Sequence, residues 1–304
     1  MSTLSGRWKL GILLAFLTIL MWAVLPIALK GLLVTLDPVT TSFFRFFLSA
    51  LLITPYLIAR NRLPNAHKAR DPKFALWLVA AGLLLSANYG FYIHGLEKTS
   101  VEAAQVIIQL APMLLLLAGL SLFKERFIRL QWLGFGGFVS GLLVFFHHRL
   151  GDLFVSFNDY GMGMILVVGA AFSWTGYAII QKFLLREFSS EESMMVIYWI
   201  GTVSFLPFCD FSALDQLSNL QWGLLAFCGL NTLVAYGAFA EAMVHLEASR
   251  VSAIIALGPL VTVTIVQLVP IAGVNPEPLG IISLVGAAML VIGSITTAAA
   301  EKVS

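Results

Sequence analysis

Apolar residues run along this chain in long blocks, and short polar stretches separate the blocks from near the N-terminus to near the C-terminus. A helix of about 20 apolar residues crosses a bilayer. Ten such blocks are legible, at roughly 10–30, 38–59, 74–95, 100–122, 130–147, 159–182, 192–209, 219–243, 249–271 and 278–299. The connections are too short to hold a folded soluble domain. The pattern predicts an all-α membrane protein with ten transmembrane helices.

The blocks also repeat. Shifted by 152 residues, Gly11, Trp22, Lys30 and Pro55 fall on Gly163, Trp174, Lys182 and Pro207. Shifted by 147, Gly82, Tyr89, Gly90 and Pro112 fall on Gly229, Tyr236, Gly237 and Pro259, and a shift of 146 pairs Gly134 with Gly280. Leucines coincide by chance in so apolar a chain; Trp, Pro and a Tyr-Gly pair do not. The chain therefore reads as one five-helix unit written twice, over residues 1–150 and 151–304. Five is odd, so the second unit enters the membrane from the opposite side and the repeats are inverted.

Composition agrees with this. Hydrophobic residues make up 59% of 304 positions and charged residues 11%, with a mean hydropathy of +0.92, where a soluble domain carries about twice that share of charge. Fourteen Lys and Arg fall on the N-terminal side of the slab; Lys30, Lys98 and Arg149 fall opposite. That bias predicts both termini in the cytoplasm. The net charge of +2 is then a matter of topology, and no nucleic-acid role is called for. The first block is too long for a cleaved signal and lacks a cleavage site. Cys209 and Cys228 have no metal-ligand spacing and read as buried, reduced residues.

Inverted repeats place a shared site near the midplane. Pro112 and Pro259 fall in mid-span, where each removes a backbone hydrogen bond and kinks its helix, either to line a pathway or only to shape packing. Gln105, Gln109 and Pro112 share one face, at i, i+4 and i+7. The two amides bind a polar ligand or join helices, and their mates under the shift of 147, Ser252 and Ala256, do not repeat them. Trp22 and Trp174 lie too deep for an interfacial belt, unlike Trp8, Trp77 and Trp222. With Tyr89, Tyr92, Tyr177, Asn231 and Tyr236 they form a candidate lining for an organic solute, or else pack the core. His94 and Glu241, mates under the shift of 147, are candidates for gating or proton coupling, or merely reach interfacial water. Arg45, inside the second span, reads as a structural or orienting charge paired with a carboxylate or with helix-end carbonyls. Asp37, Asp210, Asp215 and Glu277 read as solvated loop charges. Gly134, Gly137 and Gly141 make a close-packing face, used within the chain or in a dimer.

The chain has no phosphate-binding loop of the G-x-x-x-x-G-K-[S/T] type, no H-E-x-x-H and no G-x-S-x-G, so neither ATP hydrolysis nor an intramembrane enzyme is indicated. No cofactor or metal is expected. The stretch Ser42-Phe-Phe-Arg-Phe-Phe-Leu-Ser-Ala-Leu-Leu, Thr99-Ser100 followed by Pro112, and Lys124-Glu125-Arg126 at the end of the fourth span resemble the drug/metabolite transporter superfamily, in particular its EamA-type members. Lys124 stands where the family pattern has Gly, and Ala272-Gly273-Val274-Asn275-Pro276 departs from the matching Gly-Glu pattern in the second repeat. The resemblance implies a bacterial inner-membrane carrier with a central cavity, often an exporter of amino acids or other small metabolites. An aromatic amino acid suits the aromatic positions. An uptake permease of the same fold, or a non-transporting enzyme or sensor, is the alternative.

Overall fold

The computed structural model describes residues 5–64, 71–99, 101–124, 127–145, 147, 159–268 and 280–299. Ser100, Glu125, Arg126, Arg149, residues 272–276, Glu277 and the boundary between residues 150 and 151 lie outside them. The described residues form α-helices and two short 3-10 turns, with no strand among them. The first half contributes α1 (Trp8–Leu32), α2 (Pro38–Ala59), α3 (Pro72–Lys98), α4 (Val101–Ile107), α5 (Leu110–Ser121) and α6 (Arg129–Phe145). The second contributes α7 (Asp159–Leu184), α8 (Ser190–Phe205), α9 (Asn219–His245), α10 (Ala248–Ile255), α11 (Gly258–Leu268) and α12 (Ile281–Ala299). Six stretches, α1, α2, α3, α7, α9 and Ala248–Ile265, are long and apolar enough to cross a membrane, and α5, α6 and most of α12 are shorter apolar helices.

The helix starts show how the repeat conserves a physical task while changing residues. Asp37 caps α2 through Val39 N (2.8 Å) and Thr40 N (2.9 Å), with Pro38 at the first helical position. Its mate at a shift of 152 is Ser189, which caps α8 in a reciprocal box with Glu192. Asp71 caps α3 through Lys73 N, with Pro72 next; its mate at a shift of 147, Ser218, caps α9 in a box with Gln221. Asp-Pro in one half and Ser-x-x-Glu/Gln in the other satisfy the same orphan amides. Asp37 and Asp210, read as loop charges, are therefore caps; Asp210 accepts from Ser212 N at 2.9 Å.

Helices of one half pack mainly on helices of the other, and they run antiparallel. Gly11 meets Leu246 and Gly31 meets Leu224, setting α1 against α9; Gly95 meets Val167 and Gly176 meets Leu84, setting α3 against α7. The repeat mates α2 and α8 pack on each other, with Gly201 on Phe46 and Trp199 Nε1 donating to Thr54 Oγ1 at 3.0 Å. So do α6 and α12. A Cβ at Gly293 would stand 2.3 Å from Phe138 N, and one at Gly141 2.6 Å from Leu290 N. The glycine face expected on the fifth span thus serves packing within the chain, through Gly134 and Gly141; at Gly137 an added Cβ would have room, 3.8 Å from Gly293 Cα.

The expected fourth and ninth spans are each broken. α4 gives way to α5 at Ile108–Gln109, and α10 to α11 at Ala256–Leu257. These breaks correspond at a shift of 147–149, and each precedes its proline by a few residues. Pro112 offers no N–H to Ile108 O, which instead accepts from Ala111 N at 2.9 Å. The prolines therefore interrupt these helices rather than kink them.

Past α5 the chain turns through Lys124 at φ +55°, a left-handed conformation natural to glycine. Lys124→Gly is expected to raise thermal stability by about 1 kcal/mol, measured by unfolding in detergent. Gly293→Leu, which drives a side chain into the backbone of α6, is expected to lower it by about 3 kcal/mol or prevent folding. Tolerance of leucine there would refute the close approach.

Candidate functional site

A cavity of about 760 Å³ of empty space, its mouth included, lies among α1, α2, α3, α4–α5, α7, α9 and α10–α11. Its wall includes Trp22, Pro26, Arg45, Asn88, Tyr89, Tyr92, Gln105, Gln109, Pro112, Trp174, Tyr236 and Gly258. Trp22–Pro26, Asn88–Tyr92, Arg45 and Gln105 place it from mid-bundle toward the end where α1 and α3 finish.

The repeat mates meet at its floor. Trp22 and Trp174 stand edge to face, with centroids 5.8 Å apart, and Tyr89 and Tyr236 lie 5.7 Å apart. Trp22 also contacts Tyr236 (5.1 Å) and Phe239 (5.7 Å). Such contacts fix each ring in place beyond the area they bury. Trp8 and Trp222 are exposed near helix ends, as a belt requires.

Polar groups gather on one wall. Thr232 Oγ1 accepts from Arg45 Nε (3.1 Å) and Tyr89 OH (3.1 Å) and donates to Cys228 O (3.0 Å). The Arg45 guanidinium lies 4.0 Å over the Tyr89 ring, a cation–π contact. Arg45 thus has a hydroxyl and an aromatic face where a carboxylate or helix-end carbonyls were expected. Asn88 Nδ2 donates to Ala170 O at 2.9 Å. Gln109 is 3% exposed, and its Oε1 accepts no hydrogen bond.

Five candidate residues lie off the wall. Tyr177 is fully buried behind Tyr236 and donates to Met194 Sδ at 3.2 Å. Asn231 donates to Met21 O at 2.5 Å, joining α9 to α1. Pro259 is buried beside the lining residue Gly258. His94 Nδ1 contacts Gly90 O at 2.8 Å, one turn back on its own helix. Glu241 sits at the end away from the mouth, bonded to Ser190 Oγ. It lies 3.3 Å from His245 Nε2, at ion-pair distance without hydrogen-bond alignment.

That end is closed by contacts of Lys182, marked in the sequence only as the mate of Lys30, and of Gln181 and His245. Lys182, 5% exposed, donates to the carbonyls of Met243 and Leu246 (3.0 Å to Leu246). Gln181 donates to Ser193 Oγ at 2.9 Å, and His245 bonds Ser5. Lys30, the mate of Lys182, donates to Thr99 O at 2.8 Å. Thr99 and Leu246 are themselves mates at a shift of 147, and they follow the last turns of α3 and α9. Each lysine thus neutralises the carbonyl end of the third long helix in its own half. The recurrence of Lys30 as Lys182 was the available signal.

An apolar exterior around a chamber built by both halves is the form of a membrane transporter. The model of the EamA-like transporter family matches residues 9–147 and again 161–299, and the chain belongs to that family. It is 36% identical over 297 residues to "Uncharacterized inner membrane transporter YhbE" of Escherichia coli (strain K12), covering 97% of this chain and 92% of that protein. It is 33% identical to an "Uncharacterized transporter" of Haemophilus influenzae, over 96% of each chain. It is 24% identical to "Probable amino-acid metabolite efflux pump" of Salmonella typhimurium, over 92% of each. A solved crystal structure superimposes with a TM-score of 0.69 at 18% identity, covering 94% of this chain and 95% of that one, which speaks to the fold. The chain is a multi-pass membrane transporter of inner-membrane type, not an enzyme.

Thr232→Val keeps the shape and strands two buried donors, so it is expected to cost about 1–3 kcal/mol of stability. In a Tyr89→Phe background the same change is expected to cost less, because one stranded donor is gone. Equal losses in the two backgrounds, read from thermal unfolding, would rule out the shared hydroxyl.

Proposed function

We propose that the protein is a secondary transporter that exports small organic metabolites, amino acids and aromatic compounds among them, across a bacterial inner membrane. In this reading the chain crosses ten times, in two inverted units divided near residue 150, with both termini in the cytoplasm. The antiparallel packing of the mates α2 with α8 and α6 with α12 supports inversion. The charge bias supports the orientation. The observation that carries the reading is a chamber walled by both halves, directed to one end and latched at the other.

Transport then proceeds by alternating access. The described state faces outward: the wall runs toward the Lys30 and Lys98 end, and Lys182, Gln181, Glu241 and His245 hold the cytoplasmic end. Inward opening breaks those contacts while the Lys30 end closes. The breaks at Ile108–Gln109 and Ala256–Leu257, which Pro112 and Pro259 keep from closing into continuous helix, let half-helices tilt separately. Glu241 acts as part of the latch and His94 as its counterpart at the outer end. The solute lies among Trp22, Tyr89, Tyr92, Gln105, Gln109, Trp174 and Tyr236. Tyr177 and Asn231 serve one layer behind, holding Tyr236 and α1 in place.

Reconstituted in vesicles, the protein is expected to pass labelled amino acids or aromatic metabolites faster than protein-free vesicles, and everted membrane vesicles are expected to accumulate them. No flux for any solute would overturn transport; flux without that accumulation would overturn export. Lys182→Met removes the donor at the latched end. A cysteine placed at buried Ala178, with Cys209 and Cys228 replaced, is then expected to react several-fold faster with a cytoplasmic thiol reagent. An unchanged rate would remove Lys182 from the latch.

A further inference from the structure

Among the described residues that line the chamber, Arg45 carries the only charged side chain. It is 2% exposed, and a guanidinium at that depth in a membrane protein is costly unless something answers its charge. Thr232 takes Nε, and Tyr89 covers one face. Among the described residues no carboxylate lies within 4.0 Å of it, and its two terminal nitrogens make no hydrogen bond. Structural arginines buried for stability are paired; this one is held by its inner nitrogen, which leaves the outer pair for something else.

The geometry points to Arg45 as the residue that selects the solute, by anchoring a carboxylate. Two parallel N–H donors fit a carboxylate side on, which a lysine cannot reproduce. Thr232 and Tyr89 set the plane of the guanidinium and so act as positioning residues. Trp22, Trp174 and Tyr236 offer aromatic faces and edges to the rest of the molecule. Among the described residues, the chamber wall holds no Asp or Glu. Against those residues a cationic solute meets a like charge with nothing to offset it, and an amino group on the solute gains no ionic partner. The solute class is an organic monocarboxylate with an apolar or aromatic body, and its amino group is dispensable.

This rests on the proposed function only in taking the chamber as the solute's place, and binding and flux test the two separately. The full-length protein in detergent is titrated with 3-phenylpropionate, phenylalanine, 3-phenylpropionamide and phenethylamine, and binding is read from the concentration dependence of thermal stabilisation. Both carboxylates are expected to bind about tenfold or more tighter than the amide and the amine, within a few-fold of each other. Arg45→Gln is expected to erase that preference by weakening the carboxylates alone, and Arg45→Lys to retain part of it. Equal binding of 3-phenylpropionamide and 3-phenylpropionate, a tenfold requirement for the amino group, or no binding by any of the four overturns the anchor. A preference that survives in a folded Arg45→Gln protein does the same. Should Arg45→Gln not fold, the selectivity of the unaltered protein and of Arg45→Lys decides. Carboxylate binding without flux in vesicles supports the anchor and sinks transport; flux indifferent to the carboxylate sinks the anchor and leaves transport standing.

Discussion

Hydrocarbon offers no hydrogen bond, so a polar group on a membrane helix has to find its partner inside the protein. That constraint orders the whole bundle. Outward faces carry Leu13, Leu133 and Ile281, each more than half exposed. Inward faces carry hydroxyls that bond carbonyls of neighbouring helices: Thr18 to Ala235 O, Ser49 to Gly229 O, Thr175 to Ala111 O and Thr262 to Ala23 O. Each of these bonds joins one half of the chain to the other, and each is the kind of interhelical contact that fixes crossing in lipid. Interrupted helices are tolerable only under the same rule. Both breaks lie in the interior, with Ile108 and Ile255 against the chamber.

Much of this was legible in the sequence, and the residues show why. Trp22 and Trp174 were conspicuous because a large amphipathic ring deep in a span has few places to go, and their recurrence marked them as mates. Gln105, Gln109 and Pro112 share a stripe that survives the break. Asp-Pro and Ser-x-x-Glu/Gln mark helix starts through local chemistry alone, yet Asp37 was read as a loop charge. Tyr177 and Asn231 lie off the chamber wall for one common reason. Periodicity says which face of a helix a residue occupies, whereas a helix surrounded by neighbours buries several faces, and only some border the chamber. Thr232 was missed because a threonine in a span is ordinary. Its meaning comes from Arg45 and Tyr89, which are distant in sequence and arrive from other helices. Lys182 looked like a topological marker at a helix end, and its two carbonyl partners become visible only once α9 is in place.

The bundle divides into a part built to stay and a part able to give. Along α6 and α12, glycines bring backbones so near that a single methylene does not fit between them; such a seam has one packing. Around the chamber the contacts are of another kind: lysine to carbonyl, amide to hydroxyl, ring against ring, and helices already divided at mid-length. In the proposed transport cycle these are exchanged for equivalents on the opposite end, because each half carries its own lysine and its own helix break. The amides Gln105 and Gln109 are the exception, since Ser252 and Ala256 stand in the matching places. The two ends are alike in backbone and unlike in the chemistry they present.

The pairing of α1 with α9, α3 with α7 and α6 with α12 has a consequence for how the protein is made. Neither half owns its interior, so a sequence repeat this plain is not a pair of separable folding units. At a synthesis rate of about 5–20 residues per second, α6 leaves the ribosome roughly ten to thirty seconds before α12 exists to receive its glycines. Until then the helices of the first half wait in the membrane as an unfinished set, exposed to quality-control proteases. A nascent chain that stalls before residue 281 would be expected to meet them, with nothing wrong in any of its own residues.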